Sequence, residues 1–239
     1  MAVFVLSDLH LSTNAGTDKS MEVFGTKWKD YINRIKNNWN RLVTPEDTVV
    51  VNGDVSWAMT LDEAKSDFEF LNSLNGTKII GKGNHDFWWS TLSKVNAFFE
   101  ENKIDTVKIL HNNAHIADRL VICGSRGWYN DDKIATMPKT ADYQKIVSRE
   151  AARIKASLKE GEKLSSEFEK VVFLHFPPVW GDFVCEEILT VLEEFNVKRC
   201  YFGHIHGLYD IPSSFEYDDI KFIMTSADFL NFTPLFVGK

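Results

Sequence analysis

Cysteine is scarce in this chain: three in 239 residues, Cys123, Cys185 and Cys200, with no C-x-x-C pair. An odd, scattered set excludes a disulfide framework and a thiolate zinc knot, and fits reduced thiols in a reducing compartment. Long apolar runs are missing too. No stretch approaches the ~20 residues of a membrane-spanning helix. No basic segment stands ahead of the first apolar run, which Asp8 and His10 interrupt, so a signal peptide is excluded as well. A cytoplasmic protein with no membrane partner is the expectation. Positive charge is in deficit: 27 Lys+Arg against 34 Asp+Glu gives −7. That disfavours extended nucleic acid, whose affinity comes mostly from phosphate neutralisation. Proline and glycine never gather into a linker, and there is no repeat, charge block or low-complexity tract. Against a prior of roughly 150 residues per domain, 1–239 reads as a single domain.

What is present is a core and a repeated pattern. Hydrophobic residues make up 44% of the chain and charged residues 26%, which suits a globular protein with a sizeable interior. Five apolar runs each end on Asp, Asn or His. Val3 to Leu6 leads into Ser7-Asp8-Leu9-His10, and Thr48 to Val51 into Asn52-Gly53-Asp54. Lys78 to Lys82 leads into Gly83-Asn84-His85-Asp86, Val171 to Leu174 into His175, and Cys200 to Phe202 into Gly203-His204-Ile205-His206. The carboxyl edge of an open α/β sheet is where ligands bind. Residues two apart in extended chain point the same way, so Asp8 pairs with His10 and His204 with His206. Carboxylate with imidazole suits zinc, manganese or iron. Of the seven histidines only His111 and His115 fall outside these motifs.

Between the runs, periodicity predicts amphipathic helices over 26–43, from a Thr60-Leu61-Asp62-Glu63 capping box to Leu74, and over 91–102. The resulting β-α-β-α-β-α order implies parallel strands. Short strands are expected near 107–110, 115–117 and 120–123, then a loop over 131–140. A charged helix over 141–159 should end near Gly161, and a short helix over 186–195 precedes the fifth run. The tail from Ile220 to Val237 reads as strand-rich.

The ordered set Asp8-x-His10, Gly53-Asp54, Gly83-Asn84-His85-Asp86, His175 and Gly203-His204-x-His206 resembles the calcineurin-like metallophosphoesterases. The match spans nearly the whole chain with no ligand position missing. The resemblance implies an α/β fold of two packed mixed β-sheets flanked by helices, a four-layer α/β/β/α arrangement. It also implies two metal ions. Asp8, His10, Asp54 and His206 would hold one, and Asp54, Asn84, His175 and His204 the other, with Asp54 bridging. Two cations about 3.5–4 Å apart acidify a bridging water as nucleophile, bind phosphoryl oxygens and absorb charge during in-line displacement. The expected function is dinuclear hydrolysis of a small phosphate monoester or diester, with Mn, Fe or Zn as the ions. His85 is the expected donor to the leaving oxygen, with Asp86 either orienting its ring or capping the next helix. Arg126 reads as a phosphate clamp or a surface ion pair. Trp57, Trp88, Trp89, Trp128 and Trp180 either stack a leaving group or roof the core.

The segment Ser7 to Ser12 also resembles the start of lipid-A-pathway pyrophosphohydrolases, which carry Arg in the position of His85; that subfamily is not adopted. A non-catalytic scaffold is disfavoured by the intact ligand set and a nuclease by the net charge. A serine/threonine protein phosphatase is disfavoured by the lack of arginine-rich phosphate signatures.

Overall fold

The computed structural model describes residues 1–14, 19–128 and 141–238. Among them the chain runs β1 (Val3–Val5), α1 (Tyr31–Leu42), β2 (Thr48–Val51), α2 (Lys65–Ser73), β3 (Thr77–Ile80), α3 (Leu92–Glu101) and β4 (Val107–Ile109). There follow β5 (Ala114–Ala117), β6 (Leu120–Ser125), α4 (Ala141–Leu164), β7 (Glu169–Leu174), β8 (Val179–Trp180), β9 (Phe183–Val184) and α5 (Glu186–Glu194). Last come β10 (Arg199–Phe202), β11 (Ser214–Tyr217), β12 (Ile220–Met224) and β13 (Leu235–Gly238).

Two mixed sheets result. The first has the order β13-β1-β2-β3-β4, with β1 to β4 parallel and β13 antiparallel at the edge. The second has the order β11-β12-β10-β7-β6-β5, with a parallel centre and an antiparallel strand at each edge. Alternate residues of each strand face opposite sides, and both sides are buried. Val3, Val5, Val50 and Ile79 meet Ile122, Val171, Phe173 and Ile223 between the sheets. Val49, Val51 and Ile80 face outward onto Ile35 and Trp39 of α1, Phe68 of α2 and Phe99 of α3. On the other side Val121, Val172 and Phe202 face Ile154 and Leu158 of α4 and Ile188 of α5. Parallel strands need cover on both faces, and these four layers supply it. No described helix is long and apolar enough to cross a membrane. The three cysteines are buried and free.

Three expected helices differ in detail. The helix expected over 26–43 is broken: Thr26–Trp28 is a single 3-10 turn, and Asp30 takes a left-handed φ of 53° before α1 begins. The break frees Trp28 to pack on Tyr31 and Phe232 and to reach His206, with ring centroids 5.5, 5.2 and 5.7 Å away. At 60–63 the Glu63 amide does donate to Thr60 Oγ1 (3.2 Å), but Glu63 Oε2 accepts from the Met59 amide, and α2 starts only at Lys65. Gly161 does not stop α4. It lets the helix touch the sheet: a Cβ there would lie 2.8 Å from both Cys123 Sγ and Val121 Cγ1. The loop expected over 131–140 lies outside the described residues.

Candidate metal centre

Parallel order sends the carboxyl ends of β1, β2, β3, β7 and β10 to one place. The backbone there is strained. Asp8 (φ 58°), His10 (46°), Asp54 (49°) and His204 (70°) all occupy the left-handed region. Asp and His tolerate it better than branched residues, at a cost on the order of 1–3 kcal/mol each. Interlocking hydrogen bonds hold them. The Asp8 amide donates to the Gly53 carbonyl (3.0 Å) and the His10 amide to the Asp54 carbonyl (2.9 Å). The His204 amide donates to both Asp8 carboxylate oxygens (3.0 and 3.1 Å), and the His85 amide to Asp54 Oδ1 (2.7 Å). Gly83 has no room for a side chain, because a Cβ would sit 2.1 Å from Asp54 Oδ1.

The side chains converge in two linked groups. Asp8, His10 and His206 form the first, with His206 Nε2 3.4 Å from Asp8 Oδ1 and 3.2 Å from His10 Nε2. Asp8, Asp54 and His175 form the second. Asn84 Oδ1 joins it, 2.7 Å from His175 Nε2 and 3.0 Å from His204 Nδ1. Asp54 Oδ2 lies between the two, 3.7 Å from His10 Nε2 and 3.5 Å from His175 Nε2. All seven residues singled out as ligands therefore meet in one cluster. Asp8, and not Asp54 alone, reaches both halves.

Electrostatics show what the cluster lacks. Burial, then Asp8 and Asp86, push the Asp54 carboxyl well above its ordinary range. Burial opposes the charge on Asp8, but His206, His175 and His10 overcome it and hold that carboxyl low. Burial drives His175 down to about 3 and, with His206, holds His10 well below the usual imidazole value. His206 goes the other way, to about 10: burial opposes its charge, and hydrogen bonds to Asp228 and Asp8 outweigh that. A buried carboxyl forced towards protonation beside imidazoles forced neutral is a site short of positive charge. His10 Nδ1 and His175 Nδ1 are buried with no hydrogen-bond partner among the described residues. This nitrogen-and-oxygen donor set fits transition-metal cations.

Around the cluster, one expected pairing fails. Asp86 does not orient the His85 ring. Its Oδ1 accepts from the Val55 and Ser56 amides and Trp88 Nε1 (2.9, 3.3 and 2.9 Å), and Oδ2 from the Gly83 amide (2.7 Å). The chain bends at Asn84 and His85, and Asp86 turns inward to tie the β2 and β3 loops together. Nor does it cap a helix, since Thr91 caps α3. His85 instead packs against Trp57, ring centroids 4.3 Å apart with the planes tilted by 53°, and burial lowers its pKa. With His10, Trp28, Trp57 and His206 it lines a cavity of about 400 Å³ whose wall is largely apolar. Arg126 lies off the ligands, its guanidinium 5.5 Å from the Phe176 ring centroid. Of the other tryptophans, Trp88 holds Asp86, Trp89 lines a second cavity beside Arg126, and Trp180 packs on Phe202. Trp128 packs on Phe176.

Sequence reasoning missed Asp228. It is fully buried, and its Oδ1 accepts from His206 Nδ1 (2.8 Å) while Oδ2 accepts from the Gly207 amide (3.1 Å) and the Tyr209 hydroxyl (3.0 Å). A carboxylate on the far nitrogen fixes the tautomer and turns Nε2 into the cluster. The signal was a sixth apolar run, Ile220 to Met224, ending in Thr225-Ser226-Ala227-Asp228.

The model of the calcineurin-like phosphoesterase family matches residues 1–208. The chain belongs to that family. No curated protein matches it. Among solved structures it is similar to phosphopantetheinyl hydrolase from Mycobacterium tuberculosis (15% identity, 99% of this chain and 95% of that one, TM-score 0.56). It is also similar to TT1561 of Thermus thermophilus (9%, 99% and 97%, 0.57) and to AQ665 of Aquifex aeolicus, a protein of unknown function (15%, 98% and 95%, 0.53). At these identities the likeness is one of fold. The family is metal-dependent, and the cluster at the strand ends is where this calcineurin-like phosphoesterase offers metal-ligating groups.

Proposed function

We propose that this chain is a single-domain, dinuclear metal-dependent hydrolase of small phosphate monoesters or diesters. The convergence of Asp8, His10, Asp54, Asn84, His175, His204 and His206 carries the reading. Bound metal ions supply Lewis acidity and an activated water. The chain's residues do the rest. Asp54 stands between the two halves of the donor set. Asp228 holds His206 with Nε2 turned inward. His85, facing the cavity beside His10 and His206, donates to the leaving oxygen, and Trp28 and Trp57 give that oxygen's substituent an apolar wall. That a solved protein of similar fold is called a hydrolase is in keeping with this reaction class.

Elemental analysis of the purified protein, chelator stripping and add-back across monoester, diester and pyrophosphate substrates test the proposal. Activity should vanish on stripping and return with Mn²⁺, because a nitrogen-rich donor set disfavours Mg²⁺. Full activity in Mg²⁺ alone would contradict it.

A further inference from the structure

Beside the metal centre lies a cavity of about 330 Å³ at the carboxyl ends of β3, β4 and β6, lined by Lys82, Trp89, Thr91, His111, Arg126 and Arg153. In a chain of net charge −7, three basic side chains, Lys82, Arg126 and Arg153, meet there. Arg153 has a carboxylate partner, Glu150 at 3.1 Å. Glu150 also accepts from the Ser125 hydroxyl and, at 2.9 Å, from the Gly127 amide. Among the described residues neither Lys82 nor Arg126 has an ion-pair partner, and Arg126 Nε is buried without a hydrogen bond. Thr91, the N-cap of α3, brings the positive end of a ten-residue helix to the same wall.

The cavity adjoins the metal centre. Lys82 is followed by Gly83 and the ligand Asn84. One phenyl ring separates Arg126 from the imidazoles: the Phe176 centroid lies 5.5 Å from the guanidinium carbon, 4.5 Å from the His204 ring and 5.0 Å from the His175 ring. Among the described residues Glu150 is the carboxylate paired with these cations, at Arg153, and Arg126 is left without an ion pair; guanidinium groups match the oxygens of a phosphoryl dianion in a fork.

We propose that this cavity holds a second phosphoryl group of the substrate, so that the preferred substrate carries two phosphates a short spacer apart. The inference rests on the phosphoester reading above. An alkanediol monophosphate and the corresponding bisphosphate, matched in spacer, test it in the metal-loaded protein. The wild type should favour the bisphosphate. Arg126→Gln and Arg153→Gln should each lose about 10- to 100-fold more kcat/KM on the bisphosphate than on the monophosphate, the worth of a charged hydrogen bond. Equal losses on both substrates overturn the pocket and leave the phosphoesterase standing. No hydrolysis of either overturns the monoester form of the phosphoester reading. Calorimetric titration of metal-free protein with the bisphosphate and with inorganic phosphate then decides the pocket separately. Bisphosphate binding weakened by both substitutions supports it, whereas inorganic phosphate binding there as tightly as the bisphosphate makes it a site for a free anion and refutes the proposal.

Discussion

Asp228→Asn isolates one half of the metal centre. The change keeps the side chain's shape and removes its charge. The amide oxygen still accepts from His206 Nδ1, but the amide nitrogen then faces the Gly207 N–H, donor against donor, while the Tyr209 hydroxyl can turn to accept. One of three hydrogen bonds to a charged group is lost at a partly buried position, a destabilisation of about 1–3 kcal/mol. The larger consequence falls on metal binding. Loss of the carboxylate behind a ligating histidine costs ~10–100-fold in affinity, or ~1.4–2.7 kcal/mol. On the dinuclear reading proposed above, chelator competition followed by elemental analysis should show this at an ion held by Asp8, His10 and His206, with an ion beside His175 and Asn84 affected less. The metal-free protein provides a second reading. His206 is raised from 6.5 to about 10, so its contribution to stability is fully present below pH 6.5 and is lost as pH rises through 10. Asp228→Asn should flatten that slope and move the His206 titration down. Equal weakening of both ions, or an unchanged affinity, refutes the reasoning.

Asp54→Ala should lose both ions while Asn84→Ala mainly weakens one, and an Asp54→Ala protein retaining two metals per chain sinks the bridging role. His85→Asn should cost more on an alkyl ester than on a nitrophenyl ester, within the ~10²–10⁴-fold of general-acid help, with both metals retained; equal kcat/KM losses remove the leaving-group role. Gly161→Ala sets a helix gain of about 1 kcal/mol against overpacking of about 1–3 kcal/mol at Cys123 and Val121. Its denaturation midpoint should fall, and a rise would mean that α4 stands off the sheet more easily than these contacts allow.

The residues of the donor cluster were legible because each follows an apolar run, and a parallel sheet turns run ends into neighbours. Which side chains face one another was not. Asp86 follows His85 in sequence, yet its carboxylate faces Val55, Ser56, Gly83 and Trp88, a fact set by tertiary packing. Asp228 follows its strand by four residues and brings no histidine with it, so the pattern that exposed the others passed over it. The pairing of strands into two sheets was equally silent in the residues themselves, because strands buried on both faces show no alternation. It came from the family resemblance. The Asp30 break was hidden by an apolar period that runs through it, and Gly161 looked like a helix stop although it is a contact point.

The edge strand β13 carries a consequence for how the protein is made. β2 follows β1 closely in the chain, but β1's other neighbour pairs Val5 with Leu235. At translation rates of roughly 5–20 residues per second, that flank of β1 stays open for on the order of 10–50 s. During that interval one flank of Val3, Phe4 and Val5 lacks its partner strand, a template for pairing with other chains. Nascent-chain binding factors would find a long-lived target in that open flank, and β1 gains its second neighbour only when β13 has been made.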